Sequence, residues 1–152
     1  MDDFTIPLST AEVLQTGKDI TLISWGAPLY SCVQAMEMLK NPPASIAQHV
    51  PQSVRNASVE LIDLRTILPW DRKTVAESVA KTGRCVIVHE APITAGAGAE
   101  IAAHLQQACF LNLEAPVRRI GGFDTPFPHV HETWYKPGAI QIMDGLVRSL
   151  TY

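Results

Sequence analysis

Two ionisable residues, His89 and Glu90, close the apolar run Val86-Ile87-Val88 and stand directly before Ala91-Pro92. An imidazole beside a carboxylate is the pairing that general acid–base chemistry or a polar gate would use. Neighbours on an extended strand point to opposite faces, so the two act together only if the backbone turns at Ala91-Pro92. The plainer alternative is a histidine hydrogen-bonded within the domain and a carboxylate capping a nearby helix. Polar groups at strand ends commonly do no more than satisfy backbone atoms.

Gly96-Ala97-Gly98 follows, between that run and an alanine-rich stretch. Glycines at such a junction can cradle a phosphate on helix N–H groups. The dinucleotide fingerprint needs a third glycine and the Walker loop needs Gly-Lys-Ser/Thr, and neither is present. Close packing of a helix on the sheet, or on another subunit, explains the same small residues. His129-Val130-His131-Glu132 places alternate histidines on one face of an extended segment. A metal would need a further ligand that this spacing does not name, and the flanking prolines predict a rigid loop. No Gly-x-Ser-x-Gly elbow and no His-Glu-x-x-His pattern occurs, which argues against a hydrolase. Glu114 and Tyr152 read as surface residues that gain meaning only opposite a basic partner. Cys32, Cys85 and Cys109 are far apart in apolar segments. They read as buried free thiols of a reducing compartment. No complete catalytic constellation and no metal-ligand set emerges.

The elements that must position these residues follow from periodicity. Ile20 to Gly26, Val59 to Thr66, the run before His89, and a shorter stretch from Pro116 to Gly121 predict strands. The run before His89 lacks alternation, as a strand buried on both faces does. Helices are predicted between them, with Leu29, Val33, Met36 and Leu39 on one stripe, then Val75 and Val79, then Ile101, Leu105 and Cys109. Asp71 is placed to cap the second helix and Gly83 to end it. A last helix is predicted from Ile140 to Leu150, after a stretch stiffened by Pro126, Pro128 and Pro137. Ile6-Pro7-Leu8 reads as an irregular opening segment. Residues 42–57 lack a convincing period and are expected to be an insertion or surface excursion, with a short helical turn near Ile46. Strands alternating with helices predict an α/β fold, a three-layer α/β/α arrangement on a mostly parallel sheet.

With 152 residues, 47% apolar and 18% charged, the chain is expected to form one globular domain. A formal charge of −3 argues against general nucleic-acid binding. No apolar stretch approaches the ~20 residues that span a bilayer. The acidic start Met1-Asp2-Asp3 is unlike a secretory signal.

Several segments together resemble one family. Asp63-Leu64-Arg65-Thr66-Ile67-Leu68-Pro69-Trp70-Asp71, Ser78-Val79-Ala80-Lys81-Thr82-Gly83-Arg84, His89-Glu90-Ala91-Pro92, Phe110-Leu111-Asn112-Leu113-Glu114-Ala115-Pro116 and Asp124-Thr125-Pro126-Phe127-Pro128-His129 are similar to the β subunit of thiamine-diphosphate-dependent 2-oxo acid dehydrogenases. The Pro-Trp-Asp and His-Glu-Ala-Pro forms resemble the branched-chain member more than the pyruvate member. The resemblance covers nearly the whole chain in order. It departs at Ala97, where the family pattern implies a bulky aromatic.

The resemblance implies a transketolase C-terminal-like domain spanning residues 1–152. The preceding pyrimidine-binding domain is expected to be absent from this chain. The α subunit, with the thiamine diphosphate and magnesium site, would likewise be separate. No cofactor is expected on this chain itself. The parent enzyme would decarboxylate branched-chain 2-oxo acids and acylate lipoyl groups in the mitochondrial matrix. This domain would serve assembly with the α subunit and a second β subunit, and would dock the subunit-binding domain of the lipoyl transacylase. By position, Glu114 and Tyr152 with its terminal carboxylate are the implied docking residues, against arginine. His89, Glu90, Gly96 and Gly98 are expected on an inter-domain or inter-subunit surface. The alternatives are a free-standing nucleotide- or cofactor-binding domain, using Gly96-Ala97-Gly98 as its anion cradle, and the pyruvate-type member of the same family.

Overall fold

The computed structural model describes residues 4–152, so the acidic start on which the signal reading rests lies outside it. In chain order the elements are β1 (Glu12–Gln15), β2 (Ile20–Ser24), α1 (Pro28–Lys40), β3 (Val59–Asp63), α2 (Arg72–Thr82), β4 (Cys85–Pro92), α3 (Ala97–Ala108), β5 (Arg118–Gly122), α4 (Glu132–Tyr135) and α5 (Ala139–Leu150). The sheet order is β1-β3-β2-β4-β5. The β2–β3, β2–β4 and β4–β5 pairs are parallel, while β1 runs antiparallel on the edge. The architecture is the expected α/β one.

Central strands without a wet face require helices on both sides, and the period-two pleat sorts their side chains. Leu22, Leu61, Val86 and Val88 pack with Cys32, Met36, Ile142 and Leu146, so α1 and α5 cover one face. Ile23, Ile62, Cys85 and Ile87 pack with Val75, Val79, Ile101 and Leu105, so α2 and α3 cover the other. Thr21 is one of the buried polar residues on the strands. Its hydroxyl meets those of Ser78 and Thr82, each at 2.7 Å, tying β2 to α2 inside the second layer. The boundaries of α2 are those the sequence predicts. Asp71 Oδ1 accepts from the Thr74 N–H at 3.0 Å, and Gly83 ends the helix at φ 68°. That left-handed conformation is one a side chain rarely adopts.

Four expectations change. The opening segment is not wholly irregular, because Glu12–Gln15 adds the antiparallel edge strand. All four of its residues are exposed, so it lacks the burial pattern that would mark a strand in sequence. Val33 is 55% exposed; Cys32, Ala35, Met36 and Leu39 form the buried stripe of α1 instead. Residues 42–57 run mostly along the surface, as expected, but are anchored rather than loose. They form helical turns at Ala47–His49 and Gln52–Val54, and Val50 and Val54 enter the core under α1 and α5. Arg55 holds this segment by donating to the carbonyls of Ala47 and Val50. Finally, the loop at Pro126–Pro137 contains a helical turn at His129–His131 and the short α4.

Candidate docking site

The two groups of predicted site residues lie at opposite ends of β4. At its carboxyl end the chain leaves β2 for β3 and later returns past β2 to β4. A crevice therefore opens where the two connections part, as in other α/β sheets. Trp25, Ala27, Pro28, Ile67, His89 and Ala97 line a cavity of about 290 Å³ there. The His89 ring is 1% exposed and lies flat against Trp25, with centroids 5.7 Å apart and planes 8° apart. Three glycines enclose its edge. A Cβ at Gly98 would stand 2.5 Å from Nε2, one at Gly96 2.7 Å from Cε1, and one at Gly121 3.0 Å from Cε1. The small residues thus serve packing, and no phosphate cradle is left open between strand and helix.

The expected internal hydrogen bond to His89 is not made. Among the described residues neither ring nitrogen has a partner. Burial holds the imidazole pKa below its ordinary value; the Ala91 backbone opposes this and the Arg119 charge adds to it. Glu90 points the other way and does not cap α3. Its carboxylate pairs with Lys136 Nζ at 3.0 Å, and Lys136 also pairs with Glu132. Those two carboxylates hold the Lys136 pKa above its ordinary value. His89 and Glu90 therefore form no acid–base pair. Of the four residues expected on an interface, His89, Gly96 and Gly98 are buried together and Glu90 is half-exposed. Among the described residues no group of three or more potential metal ligands occurs, and His129 and His131 stand exposed on their turn.

At the amino end of β4, Glu114 and Tyr152 come together. With Gln106, Phe110, Leu113 and Pro116 they line a cleft of about 360 Å³. Phe110 is 64% exposed and Tyr152 77%. Glu114 is held by its backbone, since its N–H donates to the Gly83 carbonyl at 2.8 Å. Its side chain lies back over Gly83, where a Cβ would stand 2.9 Å from the Glu114 Cγ. Arg84 Nη1 then meets Glu114 Oε2 at 2.5 Å. The cleft offers an exposed carboxylate beside two aromatic rings, which suits a cation carried on an apolar surface. Sequence reasoning named Glu114 and Tyr152 through the resemblance. It missed Arg84 and Trp25, whose roles depend on contacts between distant segments.

Comparison with known proteins agrees with this architecture. Residues 9–142 match the family described as transketolase, C-terminal domain. The chain is 48% identical over 151 residues to the mitochondrial 2-oxoisovalerate dehydrogenase subunit beta 2 of Arabidopsis thaliana, covering 99% of this chain and 38% of that protein. It is 46% identical over 150 residues to the mitochondrial 2-oxoisovalerate dehydrogenase subunit beta of Dictyostelium discoideum, covering 99% of this chain and 37% of that one. The chain thus spans well under half the length of these curated relatives. A solved structure described as a split-gene transketolase, inactive beta4 tetramer, superposes with a TM-score of 0.71 at 22% identity, over 98% of this chain and 44% of that chain. On its match over residues 9–142 and on its mostly parallel five-stranded sheet, this chain belongs to the transketolase C-terminal domain family.

Proposed function

We propose that this chain is the assembly and docking domain of a branched-chain 2-oxo acid dehydrogenase β subunit. In this reading the parent enzyme oxidatively decarboxylates branched-chain 2-oxo acids on thiamine diphosphate and acylates lipoyl groups in the mitochondrial matrix. The domain would contact the α subunit and a second β subunit, and bind the subunit-binding domain of the lipoyl transacylase. The similarity to 2-oxoisovalerate dehydrogenase β subunits supports the branched-chain over the pyruvate form. The observation that carries the docking role is the single cleft shared by Glu114, Phe110 and Tyr152.

The residues present do not fit thiamine diphosphate and magnesium. The Gly96 and Gly98 backbones face the His89 ring, and no cluster of three metal ligands occurs among the described residues. The same occlusion disfavours a free-standing nucleotide-binding domain.

An arginine of the partner would meet Glu114 while its apolar stem covers the aromatic rings. At a rim position, charge complementarity governs register and association rate more than bulk affinity. Replacement of Glu114 by Lys turns that attraction into repulsion. Titration of the subunit-binding domain onto Glu114→Lys is expected to show binding weakened by about tenfold or more. Unchanged binding would remove Glu114 from the docking site.

A further inference from the structure

Glu114 is already occupied within its own chain. Arg84 Nη1 lies 2.5 Å from its Oε2, while the Arg84 Nε is buried without a partner among the described residues. The pair stands in the wall between two hollows. One is the docking cleft that Glu114 lines; the other, of about 420 Å³, is lined by Arg84 together with Asp19, Ser53 and Thr151. The Arg84 side chain is 25% exposed and that of Glu114 60%, so the guanidinium approaches from inside and leaves the outer side of the carboxylate open.

A cation arriving from solvent meets a carboxylate whose charge is partly balanced. It also meets a second positive charge behind it. A fork-like arginine–carboxylate contact uses both oxygens, and one of them is engaged by Arg84. We propose that Arg84 is an internal latch on the docking carboxylate, which a cationic partner must displace toward the Asp19 side to take Glu114. The latch rests on the docking role of Glu114 proposed above. It sets how strongly the site discriminates: a partner lacking a well-placed cation cannot release Arg84. A partner with one gains only the difference between the two ion pairs.

The test is calorimetric titration of the transacylase's subunit-binding domain onto the protein with its associated subunits. Native protein is compared with Arg84→Gln, Glu114→Gln and the double variant. Arg84→Gln is expected to dock about two- to fivefold tighter, the scale of removing one exposed competing ion pair. In the Glu114→Gln background the same substitution is expected to change nothing, because the latch then has no carboxylate to hold. Circular dichroism establishes native folding, and Arg84→Met, which retains the apolar stem, replaces Arg84→Gln if that variant misfolds. Unchanged or weaker docking of a folded Arg84 variant overturns the latch. An equal gain with Glu114 absent also overturns it, since the effect would then be one of overall charge. If Glu114→Gln alone docks like the native protein, the docking role itself falls, whatever the Arg84 variants do.

Discussion

Among the described residues no hydrogen bond of normal geometry reaches either ring nitrogen of His89, which sits in a space shaped by Gly96, Gly98 and Gly121. A buried neutral imidazole has a consequence for stability. Its folded pKa lies below the ordinary value of 6.5 through burial, so the unfolded chain takes up the proton first as the pH falls. The contribution is fully present above the unfolded pKa and is lost as pH drops from there toward the folded value, with a slope of at most about 1.4 kcal/mol per pH unit. Urea melts from pH 7.5 to 5 are expected to show that loss, and His89→Leu is expected to reduce the slope whatever it does to absolute stability. An unaltered slope would show that His89 does not titrate on unfolding. The opposite pointing of His89 and Glu90 was legible from residue parity alone. The missing hydrogen bond was not, because no local pattern reveals whether a tertiary partner arrives.

Elements with strong end signals were read correctly. Asp71 shows why: its carboxylate takes the Thr74 N–H and the Thr74 hydroxyl, two contacts that follow from the helix start, while the Ala11 N–H that its Oδ2 also accepts is a tertiary contact. Burial alone would raise its pKa, but those hydrogen bonds outweigh it and hold the carboxyl below its ordinary value. Asp71→Ala is expected to cost about 1–2 kcal/mol, read as a lower urea midpoint with unchanged slope. It should also loosen β1, which Ala11 precedes, so amide exchange of Glu12–Gln15 is expected to quicken. β1 itself escaped the sequence because an exposed edge strand needs no apolar alternation. Val33 was misplaced because spacing from Leu29 fits a helical stripe as well as the true one, and only contact with the sheet and α5 selects Cys32, Ala35, Met36 and Leu39.

Across the whole molecule the two ends of the sheet differ in character. The carboxyl ends of β2 and β4 hold stacked rings and small residues around a small cavity, whereas the amino end of β4 presents a carboxylate in an open cleft. If docking is steered by charge, its association rate must depend on salt. Screening shortens from about 10 Å at 0.1 M to about 3 Å at 1 M. Stopped-flow association of the subunit-binding domain is therefore expected to slow by about tenfold across that range. A salt-independent rate would assign docking to the apolar rings around Phe110 instead. The sequence by itself determined the α/β class, the approximate places of the central strands, the cap and stop of α2, and the family resemblance. These depend on periodicity, helix-end chemistry and motifs, which are properties of neighbouring residues. Only the tertiary structure decided the strand order, the burial of Val50 and Val54, the stacking of Trp25 on His89, and the meeting of Arg84, Glu114 and Tyr152. Those are pairings between remote segments, chosen by the packing free energy of the whole chain and written in no single stretch of it.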